Sequence, residues 1–509
     1  MYFDLKPCHA RHIARRQNKR DNSGMGGNRG IFLILIAALA WTQVGCNATD
    51  AFSSPDTTSP ETLPTPTTTP TSTPGPTVTP SPTPITTTYA AETGINSSAS
   101  SSFASLMVPV PNKTPVQMVH ATQNGDAAPG NVSKLSIHTL APTGFTGKFF
   151  AHYMPWWGSS GHWKIGYSSQ DPTQIAKIVS EIKSRGYDGM ILAQANTDDY
   201  DRAAQTLTAP VADSHGLEII AGENSLDGVA SADAMTQLYA DMTYFNAHYF
   251  NLAHYYRING RPVVMVFDNN SAIDWNKASS AAAGQPIFIY RNQAALTETG
   301  FSGGFSWFGE TTAGVPQTGA QSLTYLTNFY KAALGLPTKI AAGDYWKGFN
   351  DTLASWTKNR VVLQQCGQTW LQTLGALSAY APNHLGALPI VEAATWDDYE
   401  EGTEVETGID NCGSISANYT SANLTLNFAP AFSSSDGTEN TVDHYEVYAS
   451  QDGVNLTLVS HLPVGSRSFS VSNLGLPPIS GSYQFYVKMV GKSHILNHLS
   501  NGVSIKLSN

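Results

Sequence analysis

Between Lys148 and Thr395 the chain repeats one pattern, a short apolar run followed by a stretch with helical spacing. The runs are Lys148–Tyr153 (KFFAHY), Gly189–Gln194 (GMILAQ), Leu217–Gly222 (LEIIAG), Pro262–Phe267 (PVVMVF), Pro286–Tyr290 (PIFIY), Gly303–Phe308 (GGFSWF), Thr338–Ala342 (TKIAA) and Pro389–Thr395 (PIVEAAT). Strands that are apolar without alternation are buried on both faces, which is the property of parallel sheets flanked by helices. Eight of them in ~250 residues predict a closed (β/α)8 TIM barrel over residues 148–412. The structural alternative is an open doubly wound sheet, but no Gly-rich phosphate loop follows the first run. The intervening helices are predicted at Pro172–Arg185, with Ile175, Ile178, Val179 and Ile182 on one face, and at Tyr200–His215, Asp233–Arg257 and Thr369–Tyr380.

From residue 413 to 509 the texture changes. Asn423–Phe428, Tyr445–Tyr448, Leu456–Val459 and Tyr483–Val487 alternate with period two, Asp452-Gly453 is a hairpin signal, and a last strand is expected around Val503 to Leu507. This predicts a small all-β sandwich. Its Tyr445-x-Val447-Tyr448 and Tyr483-x-Phe485-x-Val487 resemble a fibronectin type III module, which implies an accessory rather than a chemical role.

The N-terminal end reads as an address and a tether. Ile31–Trp41 is an apolar run of eleven residues behind Arg15, Arg16, Lys19, Arg20 and Arg29. It is too short to span a bilayer, which takes about 20 residues, and it has the form of a secretory signal. Gln43-Val44-Gly45-Cys46 resembles a bacterial lipobox, which implies lipidation at Cys46, a leader over 1–46 and a surface or periplasmic lipoprotein. The alternative is a plain cleaved signal and a secreted protein. Residues 47–102 follow as a Thr/Pro/Ser-rich linker too polar to bury a core. Residues 103–147 form an approach segment with no assigned structure. Beyond Cys8 and Cys46 only Cys366 and Cys412 remain, as one disulfide or as two free thiols.

Charge narrows the function. The 509 residues hold 28 Lys+Arg against 38 Asp+Glu, a net charge of −10, and only 13 % are charged. A nucleic-acid binder needs a basic footprint that this chain lacks. A polybasic membrane surface is excluded in the same way, leaving a lipid at Cys46 as the expected membrane contact. The notable charge cluster follows the eighth run: Trp396-Asp397-Asp398-Tyr399-Glu400-Glu401-Gly402-Thr403-Glu404-Val405-Glu406. Six carboxylates in ten residues repel one another, so a packed structural segment is not expected to choose them. The last strand of a barrel delivers its C-terminal end to the site where chemistry is done. Two carboxyls there, one protonated and one ionised, are what glycoside cleavage requires. A solvated acidic loop or a calcium site is the bland reading, although calcium loops space their ligands more regularly.

Val391-Glu392-Ala393-Ala394-Thr395-Trp396-Asp397-Asp398-Tyr399-Glu400-Glu401 resembles the end-of-barrel motif of glycoside hydrolase family 71, the α-1,3-glucanases, where the pattern is Thr-Trp-Asn-Asp-Tyr-Gly-Glu. Phe150–Met154, Gly186-Tyr187-Asp188-Gly189 and Tyr255-Tyr256-Arg257 with Gly260-Arg261-Pro262 resemble further pieces of that family. The continuation Glu401-Gly402-Thr403-Glu404 is similar to the related family 99, endo-α-mannosidases and mannanases, with Trp-Asn-Glu-Trp-His-Glu-Gly-Thr-Gln. The resemblance implies a polysaccharide substrate with α-linkages, α-1,3-glucan in the first place and α-mannan in the second. It implies Asp398 and Glu401 as the catalytic pair, inversion if family 71 is followed and retention if family 99 is. Asp397 and Glu400 depart from both patterns and add charge beside the pair. No metal or organic cofactor is implied. His152, Trp156 and Trp157 after the first run, and Trp396 and Tyr399 in the acidic turn, are candidate sugar contacts. Gln194, Glu223 and Asp268 end candidate strands and are expected either to bind hydroxyls or to cap the next helix or turn. Trp307 and Tyr345 are stacking candidates that are more often core. A non-catalytic glycan-binding lipoprotein is the competing class of function.

Overall fold

The computed structural model describes residues 101–102 and 131–507, apart from 164, 194–198, 227, 269, 309–313, 353, 355, 381–387, 452–454 and 474–480. The chain divides into two units, Met1–Ser81 and Pro82–Asn509, and the first lies outside the described residues. So do Cys46, nearly all of the linker, Gln194 and the Asp452-Gly453 turn.

All eight apolar runs are strands: β1 Lys148–Tyr153, β2 Gly189–Leu192, β3 Glu218–Glu223, β4 Arg261–Val266, β5 Ile287–Arg291, β6 Gly303–Phe305, β7 Ile340–Tyr345 and β8 Ile390–Ala393. They pair in parallel in the order β3-β2-β1-β8-β7-β6-β5-β4, and β3 pairs β4, so the sheet closes into a barrel. One face of each strand fills the interior, as with Phe150, Ile191, Ile220, Met265, Ile289, Phe305, Ala342 and Ile390. The other face, with Phe149, Met190, Ile219, Val264, Phe288 and Val391, packs under the helices. Burial on both faces is why these runs read as continuously apolar. Gly303 has no alternative in its place, because a Cβ there would lie 1.9 Å from the carbonyl oxygen of Ile340.

The helices are α1 Pro172–Ser184, α2 Asp199–Ser214, α3 Ala234–His248, α4 Trp275–Ala281, α5 Gly319–Leu334 and α6 Gln368–Tyr380. α1 starts on Asp171, whose side chain accepts from the Thr173 amide, and buries Ile175, Ile178, Val179 and Ile182. α3 is shorter than expected. It ends at His248, and Arg257–Ile258 instead folds back on Arg261–Pro262 as a hairpin across Asn259 (φ 52°) and Gly260 (φ 79°). A two-residue Asn-Gly turn outweighs the helical spacing there. A 3-10 turn, Gln293–Leu296, stands after β5 where a longer helix would be regular.

The C-terminal strands are β9 Gly413–Thr420, β10 Thr425–Phe432, β11 Val442–Ser450, β12 Asn455–Pro463, β13 Ser468–Ser470, β14 Gly481–Gly491, β15 Leu496–Leu499 and β16 Val503–Leu507. β9, β10 and β13 make one antiparallel sheet, and β12, β11 and β14 with β15 and β16 make the other. Their inner faces share a core that includes Leu426, Phe428, Tyr445, Val447, Phe485, Val487 and Ile505. Ser101–Ser102 pairs with β12 and Asn131–Val132 with β15, so short pieces ahead of the barrel extend this second sheet.

Barrel and sandwich are joined by more than the chain. Cys366, just ahead of α6, is bonded to Cys412, just ahead of β9, with Cα atoms 5.4 Å apart. The β14–β15 hairpin carries His494 and Ile495 into the barrel's outer core. The Ile409 amide donates to the His494 carbonyl at 2.9 Å, and Tyr187 Oη meets His494 Nε2 at 3.1 Å. Trp370 Nε1 donates to the Ser493 carbonyl at 3.2 Å, and Ile495 is fully buried.

Candidate active site

The acidic segment leaves β8 through a cis Ala394–Thr395 peptide and turns back at Gly402 (φ 62°), a conformation suited to glycine. It is buried over most of its length, against the expectation that six carboxylates would not be packed. Four of them are anchors. Asp397 accepts from the Met154 amide at 2.9 Å and from Trp157 Nε1 at 3.1 Å. Glu400 accepts from the Trp163 amide at 3.0 Å and meets His162 Nδ1 at 2.8 Å. Glu404 pairs with Lys347 at 3.3 Å, both fully buried. Glu406 accepts from Tyr399 Oη at 2.7 Å and Tyr167 Oη at 3.1 Å. Arg185, at the end of α1, closes the segment. It donates to the Val405 and Glu406 carbonyls, each at 2.8 Å, and lies 4.8 Å over the Trp396 ring.

The remaining two, Asp398 and Glu401, face a cavity of about 850 Å³ at the C-terminal mouth of the barrel. Asp398 Oδ1 accepts the amides of Glu400 at 3.0 Å and Glu401 at 2.9 Å, and its own amide donates to Thr395 Oγ1 at 2.8 Å. Glu401 Oε1 accepts from Trp356 Nε1 at 3.5 Å, and its carbonyl takes the Asn350 amide at 2.7 Å. Burial, then the charge of Glu401 and of Glu400, pushes the Asp398 carboxyl well above its ordinary range. Burial pushes Glu401 up to about 7, with Arg360 and the Trp356 hydrogen bond holding against it. Both carboxyls are thus shifted toward their protonated forms, chiefly by burial.

Below the mouth lies a polar floor. His152 lines the cavity and bonds through Nδ1 to Glu392 Oε2 at 2.7 Å. Glu392 of β8 stands in register with Asp344 of β7. Burial holds the His152 ring down to about 3 and raises both carboxyls well above the usual range, Asp344 further through Glu392. Burial of both partners thus favours a neutral His152–Glu392 hydrogen bond over an ion pair. Basic groups complete the walls: Arg291, Lys358 and Arg360 line the same cavity, together with Trp156, Trp307 and Trp356.

Of the predicted site residues, the structure brings Asp398, Glu401, His152, Trp156 and Trp307 together on the cavity. The other described candidates lie elsewhere. Trp157 is fully buried, with its indole nitrogen committed to Asp397. Trp396 is fully buried in the outer core against Tyr187 and Arg185, so no sugar can stack on it. Tyr399 is buried with its hydroxyl on Glu406. Glu223 points out of the barrel, where the Ser225 amide donates to it at 2.7 Å, and burial and Asp241 raise it to about 8. The alternation of β3 turns Glu223 away, and its neighbour Asn224 reaches the cavity instead. Asp268 is half-buried after β4 and does not line the cavity, whereas Phe267 does. Tyr345 is fully buried in the outer core. Trp356, Arg360 and Asn224 had no signal in the sequence, since none belongs to a motif or directly ends a predicted strand; Arg291 follows the run Pro286–Tyr290 as Glu223 and Asp268 follow theirs, and could have been found by the same rule.

Among the described residues one group has metal-ligand geometry, His444, Glu446 and His461 on β11 and β12, with ligand atoms within 4.8 Å of one another. Lys488 Nζ already lies 3.5 Å from Glu446, Tyr448 Oη donates to it at 2.7 Å, and His444 Nδ1 meets Asp443 at 2.7 Å. Burial opposes charge on His444, but Asp443 and Glu446 outweigh it and hold the ring up to about 9. An ammonium and an imidazolium occupy the place a cation would take, so the group is an ion-pair network.

No family model and no curated protein matches the chain. Among solved structures it is similar to a GH99 endo-α-mannosidase from Bacteroides thetaiotaomicron in complex with bis-tris-propane, at 17 % identity and TM-score 0.40 over 51 % of this chain and 86 % of that one. A second structure of a Bacteroides thetaiotaomicron GH99 endo-α-mannosidase gives 17 % and 0.39 over 51 % and 87 %. A Bacteroides uniformis β-glucuronidase gives 8 % and 0.34 over 66 % and 44 %.

Proposed function

We propose that the chain is a glycoside hydrolase that cleaves α-linked polysaccharide by acid–base chemistry at Asp398 and Glu401. One observation carries the reading: these two carboxyls, alone among the six of the acidic segment, face a saccharide-sized cavity, and both hold protons above the ordinary carboxylate range. A carboxyl pair with one member protonated and one ionised supplies the two roles that glycoside cleavage needs, an acid for the departing oxygen and a base for the attacking group. Trp156, Trp307 and Trp356 offer apolar faces to sugar rings, and His152 and Asn224 offer polar atoms to hydroxyls. α-1,3-Glucan is the first substrate by the motif at Thr395–Glu401, and α-mannan the second by Glu401-Gly402-Thr403. The sandwich is read as fibronectin type III-like, supported by its sheet of three strands facing the larger sheet. Export, with an anchor at Cys46, is supported by the signal-like leader and fits the Cys366–Cys412 bond.

The test is a polysaccharide panel assayed for released reducing ends, with the anomeric configuration of the first product followed by NMR. Cleavage of an α-glucan or α-mannan by wild type, lost by at least about 10³-fold in Asp398→Asn and in Glu401→Gln, is the expected result. Binding without release of ends would assign the chain to the non-catalytic class.

A further inference from the structure

The cavity walls are basic in a chain that is not. Only 28 of 509 residues are Lys or Arg, and the net charge is −10, yet Arg291, Lys358 and Arg360 all line the one cavity that holds the carboxyl pair. Arg360 and Lys358 share a built turn: Asp351 accepts the Arg360 amide at 2.7 Å, its Nε at 2.8 Å and the Lys358 amide at 3.2 Å. The Arg360 guanidinium lies 4.9 Å from the Phe349 ring centre. Arg291 ends β5 on the interior face and lies 4.2 Å from the ring centre of Phe267. Among the described residues it makes no ion pair.

Neutral sugars do not require such walls. Hydroxyls are bound well by amides and carboxylates, whereas here three cations, Arg291 and Arg360 half-buried and Lys358 exposed, face the space a sugar would fill. A guanidinium held over an aromatic ring can offer its fork to a planar or tetrahedral anion at a smaller loss of side-chain freedom. A balancing role toward Glu401 accounts for one cation, since Arg360 and Arg291 both act on that carboxyl. It leaves Lys358 and the unpaired fork of Arg291.

We propose that the cavity selects an acidic glycan, with Arg291 as the specificity-determining contact for an anionic substituent, carboxylate or sulfate, on a sugar bound beside the carboxyl pair. This rests on the hydrolase reading for its substrate class, but its test does not require turnover.

The experiment is calorimetric binding to Glu401→Gln protein of three matched α-linked oligosaccharides: neutral, oxidised at C6 to the uronate, and sulfated at C6. The expected result is binding of at least one anionic form about tenfold tighter than the neutral form at low salt, with the preference shrinking as salt rises. Arg291→Met should abolish the preference and Arg291→Lys should restore part of it. The uronate and sulfate arms tell the two sources of charge apart. Equal binding of all three, or a preference that neither salt nor Arg291→Met reduces, overturns the proposal. The salt series needs no change at Arg291, so a misfolded variant does not rescue it. Hydrolysis of a neutral glycan with no anionic preference would sink this inference and leave the hydrolase; an anionic preference without hydrolysis by wild type would do the reverse.

Discussion

Glu401 is the residue on which the pH behaviour turns. A carboxyl pair loses its protons in two steps that belong to the pair. Below the first step neither group is ionised and no base is present; above the second neither carries a proton and no acid is present. Because burial holds Glu401 up at about 7 and Asp398 well above the carboxylate range, the active window opens near neutrality and not in mild acid. Arg360 favours the ionised Glu401, and its partner Asp351 disfavours it. Arg360→Gln removes the first and releases the second, so the rising limb of kcat/KM should move to higher pH, by up to about one unit. Profiles of wild type and variant on the polysaccharide identified by the panel check this; a superimposable rising limb would show that Arg360 does not act on the pair.

At the scale of elements, the acidic turn shows what a sequence can and cannot disclose. The barrel strands were legible because burial on both faces leaves a continuous apolar run. The turn was legible as chemistry only in part. Its charge density marked a segment that borders the cavity, but repulsion counted along the chain says nothing of partners that arrive from elsewhere, such as His162, Lys347, Tyr167 and Arg185. Glu223 takes the second of its two expected roles, accepting the Ser225 amide in the turn after its strand, because strand parity turns its side chain out of the barrel. Asp344 and Glu392 were invisible as a pair because only the register of β7 on β8 sets them side by side. The anchoring role is testable. Asp397→Ala leaves the Met154 amide and Trp157 Nε1 without their acceptor in a buried place. That should cost roughly 2–4 kcal/mol. Asp397→Asn, which keeps one acceptor oxygen, should cost less, and Asp398→Asn little. Thermal unfolding of the three variants ranks them, and an Asp397→Ala protein as stable as wild type would refute the anchor.

For the whole molecule, the question is whether barrel and sandwich are separable. Cys366–Cys412 closes a span of 46 residues. Loop-closure entropy sets an upper contribution of ~4 kcal/mol for a loop of that size. A Cys366→Ser/Cys412→Ser protein should therefore melt several degrees lower, while wild type melts lower only when reductant is present. The hairpin at His494 and Ile495 matters beyond the bond, since it supplies apolar and hydrogen-bonding partners to Trp370, Tyr187 and Ile409. Small β-sandwich modules are commonly exchanged like beads, gained or shed at a linker without harm to their neighbours. Here the terminal bead is also a keystone. A gene that lost its last hundred codons would not yield a leaner version of the same protein but a barrel with Tyr187, Trp370 and Ile409 stripped of their cover, so this pairing of modules is one that shuffling would find hard to undo.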